Sequence, residues 1–151
     1  MIVVTAKHEE LDIMPDLVDK ADKVIVTGVG ALNVWRALQN EPRDELIVNV
    51  GYCGSNNLPI GTMCSPDEVE LYHPNVSYVE KELDTWLESY EYMRPVKCYT
   101  NIDFVTETKI KEPVIFDMEL AFIAGMGFKR IRAVKKVSDN LNVEEYERNS
   151  K

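Results

Sequence analysis

Carboxylate side chains follow two predicted strands in the last third of the chain. Asp117 and Glu119 come directly after the apolar run 114–116, and Asp139 follows the β-rich run 131–137. In open α/β sheets, ligands bind beyond the carboxyl ends of the strands. Two carboxylates from neighbouring strand ends can share the work on one polar ligand, because one can hold hydroxyl groups while the other moves a proton. We therefore predict that Glu119 and Asp139 face a common cavity.

A helix must connect these two strand ends. The apolar run 120–126 is followed by Gly127, which is typical of the C-terminal end of a helix. The acids also have structural explanations. The helix dipole favours Asp117 and Glu119 at a helix start, and Asp139 can cap a helix that follows it. Taken singly, each acid is explained more simply by structure, so the functional interpretation depends on their order along the chain.

Two stretches of the N-terminal part could contribute further polar groups. The β-branched run 2–5 predicts a first strand, and the acid-rich residues after it include Glu10. The run 23–27 predicts a second strand, and the turn 28–30 then leads into a predicted helix. A G-x-G turn lets backbone amides approach an anion or a hydroxyl-rich ligand. It lacks the third glycine of a dinucleotide fingerprint, so by itself it is a weak signal.

Other runs predict the remaining elements of the sheet and its helices. The β-rich runs 45–50 and 96–100 predict two more strands. On the helix after the G-x-G turn, Trp35 and Leu38 are predicted to be buried. The acidic segment 79–92 predicts an amphipathic helix, because apolar residues recur at helical spacing. The residues on that face are Leu83, Trp86, Leu87 and Tyr90.

The composition excludes several classes of partner. Hydrophobic residues make up 45% of the 151 residues, which predicts one globular domain over residues 1–151. The net charge of -9 argues against nucleic acid or an anionic membrane as partner. The sequence contains neither an apolar run of membrane-spanning length nor a signal-peptide pattern, so we expect a cytoplasmic location.

The numbers and positions of the cysteines and histidines limit which disulfide bonds and metal sites the chain can form. The three cysteines form an odd set without paired spacing, which predicts free thiols in a reducing compartment. The two histidines, His8 and His73, are too far apart in sequence to form a metal-ligand motif. We therefore expect neither a metal site nor a cofactor.

The order of these features resembles that of the nucleoside phosphorylase and methylthioadenosine nucleosidase superfamily. The resemblance rests on D-M-E-L-A at 117–121, V-S-D at 137–139, T-G-V-G at 27–30, G-Y-C-G at 51–54 and the acid-rich stretch after the first strand. It covers most of the chain in compact form, since typical members are longer. It implies a three-layer α/β/α fold with a central mixed, mostly parallel sheet.

The resemblance also implies a role for each matching residue. In the family, a Met-Glu pair binds the ribose and the aspartate of the S-D strand end addresses the purine. These roles carry over to Met118, Glu119 and Asp139. A glutamate after the first strand activates water there, which implies Glu10, with Glu9 as the less favoured alternative. The positions that match the family's base-stacking pair and its glycine-rich turn are Phe104, Val105, Cys53 and Gly54.

Two departures from the family pattern bear on which group attacks the sugar. In the bacterial phosphorylases, an arginine at the position of Asn49 binds phosphate. The small serine that the family carries in the glycine-rich turn is replaced here by Tyr52. Both changes remove phosphate ligands, and an anion is not easily desolvated without such donors. The nucleosidase branch also carries asparagine at the first position. Water is therefore the expected attacking group.

The resemblance thus implies a purine nucleosidase-like hydrolase that cleaves the N-glycosidic bond of adenosine or methylthioadenosine and acts as a homodimer. Two alternatives stay open within the family: a purine nucleoside phosphorylase, and a member that binds a nucleoside or base without cleaving it. A third alternative is an interaction protein that uses the acidic segment 80–91 as its contact face. Dependence of the reaction on phosphate would indicate the phosphorylase. Ligand-induced stabilisation without turnover would indicate the binding member. The absence of a cavity shared by Glu119 and Asp139 would indicate the interaction protein.

Overall fold

The computed structural model describes residues 1–74 and 85–151. The strands in these ranges are β1 (Ile2–Thr5), β2 (Lys23–Val26), β3 (Leu46–Ser55), β4 (Met63–Cys64), β5 (Glu68–Leu71), β6 (Thr85–Trp86), β7 (Lys97–Thr100), β8 (Ile115–Asp117) and β9 (Arg130–Asp139). The helices are α1 (Pro15–Asp19), α2 (Ala31–Leu38), α3 (Leu120–Ala124), α4 (Val143–Asn149) and one 3-10 helix (His8–Ile13). None of these helices has the length and apolar character needed to cross a membrane.

Strand β3 is the centre of the sheet. It pairs in parallel with β1 on one side, and β2 continues in parallel beyond β1. On its other side β3 pairs in parallel with β9, which takes β4 as an antiparallel neighbour. At its C-terminal end, Gly54 and Ser55 pair with β8, from which β7, β5 and β6 extend as a second branch. The predicted mixed, mostly parallel sheet is therefore confirmed.

Helices cover both faces of this sheet. Because side chains alternate along a strand, Ile2 and Val4 of β1 point to one face and Val3 points to the other. The first face shares an apolar cluster with α2 and α3, and the second face packs against the 3-10 helix and α1. Each such side chain that becomes fully buried contributes roughly 1.5–3 kcal/mol. The result is the expected three-layer α/β/α arrangement.

The strand predicted at 45–50 is longer in the structure. It continues to Ser55, because its glycine-rich end keeps pairing with β9 and then with β8. The predicted strand 2–5 matches β1, and the predicted helix 120–126 begins where α3 begins. The strand that follows α3 also extends two residues further than predicted, to Asp139.

The amphipathic helix predicted at 79–92 is wrong for its described part. Residues Thr85–Trp86 form β6, and the described residues after it, up to 92, contain no helix. Trp86 is 73% exposed, whereas Leu87 packs against the main core. Pairing of β6 with the edge of β5 therefore overrides the helical spacing of these side chains. Residues 75–84, which include Leu83 and the start of the predicted acidic face, lie outside the described residues.

Helix α2 buries a different pair of side chains from the predicted one. Val34 and Leu38 are spaced by four residues and both are buried against the sheet. Trp35 is 52% exposed, so its predicted burial is wrong. Its position next to Val34 turns it away from the buried face, and it lies with the exposed Leu32 on the outer side of the helix.

Candidate active site

A cavity of about 280 Å³ lies at the carboxyl ends of β1, β3 and β9. Seven of the eight residues predicted to form a site line it: Glu10, Cys53, Gly54, Phe104, Met118, Glu119 and Asp139. The eighth, Val105, lines a hollow of about 30 Å³ that shares Phe104 and Asp139 with the larger cavity. Glu119 and Asp139 therefore face a common cavity, with the ring of Phe104 in its wall.

The carboxylate of Glu10 is held by backbone amides from two strand ends. Its Oε1 accepts hydrogen bonds from the N–H groups of Ala6 (3.0 Å) and Lys7 (2.8 Å). Its Oε2 accepts a hydrogen bond of 2.8 Å from the N–H of Tyr52. The side chain is buried, whereas Glu9 is exposed and does not line the cavity. These bonds fix the carboxylate of Glu10 at the cavity wall.

Glu119 is held by the glycine-rich turn that precedes α2. Its Oε2 accepts a hydrogen bond of 2.9 Å from the N–H of Gly30. Burial raises the pKa of Glu119 to about 7, and the neighbouring Asp117 carboxylate adds to the shift. The backbone amide of the G-x-G turn thus approaches an anion, as that motif predicts, and the anion is a side chain of the protein itself. Gly30 has a φ of 91°, which a residue with a Cβ rarely adopts.

Below this group lies a buried ion pair whose two residues were not predicted as site residues. The ammonium of Lys135 lies 2.9 Å from Oδ2 of Asp117, and both side chains are closed to solvent. Asp117 also accepts hydrogen bonds from the hydroxyl of Thr100 and from the N–H of Leu120. Burial by itself would raise the pKa of Asp117, but Lys135 and these donors hold it below its ordinary value.

A sequence signal for this ion pair exists in β9. Side chains alternate along a strand, so Lys135 points to the same face of the sheet as Ile131, Ala133 and Val137. All four side chains are buried. A lysine on a buried strand face needs a counter-charge, because an unpaired buried charge is very costly. The acid that supplies it here is Asp117, at the end of β8.

The position of Asp139 depends on an irregularity in the pairing of β3 with β9. The register shifts between Cys53 and Gly54, so that Gly54 lies opposite Asp139 and Ser138 is the extra residue. Asp139 accepts hydrogen bonds from the hydroxyl of Ser138 (2.8 Å) and the N–H of Leu141 (3.0 Å). Burial raises the pKa of Asp139, although these hydrogen bonds act in the opposite direction. A carboxylic acid with a raised pKa is suited to donating a proton.

The structural explanations considered for the acids hold only in part. Asp117 does bond the start of α3, because its Oδ2 accepts a hydrogen bond of 2.8 Å from the N–H of Leu120. Glu119 makes no capping hydrogen bond to that helix. Helix α4 is capped by Asn142, whose side chain accepts a backbone hydrogen bond of 3.0 Å, and not by Asp139.

An aromatic wall closes another side of the cavity. The rings of Phe104 and Tyr146 lie 5.4 Å apart between centroids, and Tyr146 belongs to α4. The ammonium of Lys7 lies over the ring of Tyr146, 4.8 Å from its centroid. Lys7 and Tyr146 were not predicted as site residues, since nothing in their local sequence indicates that α4 returns to the end of β1.

The two positions at which the sequence departs from the phosphorylase pattern lie in different surroundings. Asn49 is buried in β3, and its Nδ2 donates a hydrogen bond of 3.0 Å to the carbonyl of Val4. It does not line the cavity. Tyr52 lines the cavity and places a phenol where the family has a small hydroxyl. Neither residue supplies a fixed cation for phosphate.

The fold has counterparts among solved structures, although no protein-family model and no curated protein matches the sequence. The MTAN of Chlamydia trachomatis bound to adenine superposes with a TM-score of 0.77 at 15% identity, over 99% of this chain and 88% of that chain. The 5'-methylthioadenosine/S-adenosyl homocysteine nucleosidase (MTAN) of Helicobacter pylori gives 0.72 at 12% identity, over 98% and 89%. The futalosine hydrolase of Helicobacter pylori gives 0.73 at 13% identity, over 98% and 89%.

These similarities concern nearly the whole chain. They show that this chain has the fold of these three structures, which is the fold that the sequence resemblance implies. The chain is somewhat shorter than these structures, as its compact pattern predicts.

Proposed function

We propose that this protein is a hydrolase that cleaves the N-glycosidic bond of a purine nucleoside of the adenosine or methylthioadenosine type. The observation that supports this proposal is the single cavity that gathers the carboxylates of Glu10, Glu119 and Asp139 beside the ring of Phe104. Nucleosidases of the same fold, one of them bound to adenine, add support for a small nucleoside or base as the ligand.

In this proposal Asp139 is the acid. Cleavage of a glycosidic bond passes through an oxocarbenium-like state, and protonation makes the leaving base neutral. Asp139 donates its proton, directly or through water, to the imidazole nitrogen of the purine, and the bond from the sugar to the base breaks with its electron pair on the base. The raised pKa of Asp139 keeps more of the donor form at neutral pH than an exposed aspartate would have.

The sugar is assigned to Met118 and Glu119. Hydroxyl groups of the ribose donate hydrogen bonds to the carboxylate of Glu119, and Met118 packs against the sugar ring. With a pKa of about 7, Glu119 is partly protonated at neutral pH. Hydroxyl donors favour its charged form, so binding of the ribose draws this group toward the carboxylate.

Glu10 is assigned to the attacking water. Its backbone hydrogen bonds fix the carboxylate, so that it can accept a proton from a water molecule placed on the sugar. The water's oxygen bonds to the anomeric carbon, and the products are the free base and the free sugar. Phe104 stacks on the base, with Val105, Cys53 and Gly54 beside it.

Hydrolysis is favoured over phosphorolysis by the charges around the cavity. The carboxylates in its lining are Glu10, Asp117, Glu119 and Asp139. Asn49 stands at the position of the phosphorylase arginine. It is buried, and its side chain donates a hydrogen bond to the carbonyl of Val4 in β1. A phosphate ion beside the anomeric carbon would have to give up its hydration shell among these carboxylates, without the arginine that receives it in the phosphorylases.

The experiment that tests the proposal incubates purified protein with adenosine or methylthioadenosine, with and without phosphate, and follows free adenine by chromatography. We expect adenine release that does not depend on phosphate and that falls in Asp139→Asn. Asp44→Asn is the matched control, because Asp44 is exposed near the opposite end of β3. Equal release by wild type and Asp139→Asn would overturn the assignment, and formation of ribose 1-phosphate would indicate a phosphorylase.

A binding protein without catalytic activity is the second candidate. It is favoured by Tyr52, whose phenol occupies part of the cavity wall, and by Asp139, whose two oxygens already accept hydrogen bonds within the chain. Thermal stabilisation by adenine or adenosine without release of base would support this candidate.

A homodimer and a cytoplasmic location complete the proposal. Leu32 and Trp35 expose 68% and 52% of their surface on the outer side of α2, and exposed apolar surface of this kind is typical of subunit contacts. The cysteines are free and buried, which suits a reducing compartment. Light scattering that gives a particle mass close to the 17.3 kDa of one chain would contradict the dimer.

A further inference from the structure

Lys7 differs in its electrostatic surroundings from the other charged groups at the cavity. Among the described residues that line the cavity, it is the only one with a cationic side chain. The four carboxylates of the lining have hydrogen-bond or ion-pair partners within the protein, and these acids are Glu10, Asp117, Glu119 and Asp139. Lys7 makes no ion pair with any described carboxylate. Its half-buried ammonium is therefore available to an anion in the cavity.

The aromatic neighbour of Lys7 fixes where this charge lies. The ammonium is 4.8 Å from the centroid of the Tyr146 ring, and that ring contacts Phe104. The pKa of Lys7 is raised, chiefly by its interaction with Tyr146, so the side chain is cationic at neutral pH. Lys7, Tyr146 and Phe104 thus form a continuous wall that begins at the proposed base site and ends at a cation.

The proposed contacts to a nucleoside leave one of its substituents without a partner. Asp139 and Phe104 are assigned to the base, and Glu119 is assigned to the ribose hydroxyls. The remaining substituent of the sugar is the one on C5'. Lys7 and Tyr146 line the same cavity, and these assignments give neither of them a contact to the base or to the ribose hydroxyls.

We propose that Lys7 and Tyr146 form a subsite for an anionic group on the 5' substituent, so that the enzyme prefers nucleosides with a carboxylate or a phosphate there. This inference rests on the proposed function and specifies its substrate class. An ammonium offers three donors and a full charge, and the tyrosine hydroxyl offers one more donor. Charge-assisted hydrogen bonds of this kind are roughly twice as strong as neutral ones. The other charged groups of the lining are carboxylates, which repel an anion, so its attractive contacts are those with Lys7 and Tyr146.

A purely structural role for Lys7 makes a different prediction. In that role its cation–π contact with Tyr146 would hold α4 against the cavity. Loss of the lysine would then weaken the protein and reduce turnover of every nucleoside by the same factor. The decisive quantity is therefore the ratio of kcat/KM for an anionic nucleoside to kcat/KM for a neutral one.

The experiment measures this ratio with adenosine as the neutral nucleoside and with adenosine 5'-carboxylate and adenosine 5'-monophosphate as the anionic ones. We expect wild type to prefer at least one anionic nucleoside, and the ratio to fall roughly tenfold or more in Lys7→Met. Lys7→Arg retains most of the preference, because it keeps the charge. The two anionic nucleosides distinguish a carboxylate site from a phosphate site.

Lys129→Met is the matched control, since Lys129 is exposed just before β9, at the end of that strand remote from Asp139. A ratio that is the same in wild type and Lys7→Met would overturn the inference. If no nucleoside is cleaved at all, the proposed hydrolase function fails, and calorimetric binding of the same three compounds still decides the inference. Tighter binding of an anionic nucleoside that is lost in Lys7→Met would support it, and equal binding would overturn it.

Discussion

The ammonium of Lys135 and the carboxylate of Asp117 form an ion pair that is closed to solvent, with 2.9 Å between Nζ and Oδ2. Lys135 belongs to β9 and Asp117 ends β8, so the pair joins the two branches of the sheet beneath the cavity. Burial would lower the pKa of Lys135, but Asp117 and Glu119 raise it above its ordinary value. The pair therefore stays ionised, and each partner depends on the other.

Replacing Lys135 by methionine leaves the Asp117 carboxylate buried without its counter-ion. We expect the free energy of unfolding to fall by about 3–5 kcal/mol. When one partner of a buried ion pair is removed, the burial of the other charge is no longer compensated. Denaturation by urea measures the loss. Lys136→Met is the control, since Lys136 is the neighbouring, only partly buried lysine of the same strand. Equal losses in the two variants would contradict the role of the pair.

Gly54→Ala tests the close approach of β3 to Asp139. A Cβ at this position would lie 2.7 Å from Oδ2 of Asp139, so either the strand or the carboxylate must move. We expect adenine release to fall by about tenfold or more, because small displacements of catalytic groups have effects of that order. Gly125→Ala is the control, because Gly125 has helical dihedral angles at the end of α3. Retention of full activity in Gly54→Ala would show that the contact does not position Asp139.

Glu119 links stability to pH. Its pKa is about 7 in the folded protein, against an ordinary value of 4.5, so the folded state binds this proton more tightly than the unfolded chain. The stability that this group contributes is fully present below pH 4.5 and is lost as the pH rises through 7. The shift corresponds to about 3 kcal/mol, and burial of this side chain leaves little solvent screening.

Glu119→Gln should therefore flatten the pH dependence of stability. Relative to wild type, we expect the variant to gain about 2–3 kcal/mol in free energy of unfolding between pH 5 and pH 8, because glutamine does not titrate. Urea denaturation at both values measures this change. Glu147→Gln is the control on the exposed side of α4. Parallel curves for wild type and Glu119→Gln would contradict the raised pKa.

Asp139 should set the alkaline side of the activity profile. Burial raises its pKa, and only the protonated form donates, so kcat/KM for adenosine should fall as the pH rises past that pKa. In Asp139→Asn the rate should drop by about 10²–10⁴-fold, and this pH dependence should disappear. An alkaline limb that persists unchanged in the variant would assign the acid to another group.

The sequence predicted the features that depend on local pattern and order. Apolar runs that end in acids placed Glu119 and Asp139 at strand ends, and the structure brings both to one cavity. The strand at 2–5 and the start of the helix at Leu120 follow from the same patterns. The two acids meet although their strands are not parallel, because β8 pairs antiparallel with the last residues of β3 and β9 pairs in parallel up to the same end of β3.

The features that the sequence did not predict depend on tertiary contacts. The shifted register that sets Gly54 opposite Asp139 has no local signature, because either residue could have been paired regularly. Tyr146 reaches the cavity only because α4 packs back toward β1 and β9. Trp86 shows the opposite failure, since helical spacing was present but pairing at a sheet edge prevailed.

Strand β3 pairs with strands of both branches of the sheet. It pairs with β9 from Leu46 to Gly54, with β1 in its first half, and with β8 at Gly54 and Ser55. Neither branch can therefore open to solvent by itself without disturbing the strand that carries Tyr52, Cys53 and Gly54. The amide protons of β3 should exchange with deuterated solvent only through global unfolding, and they should be among the last in the protein to do so.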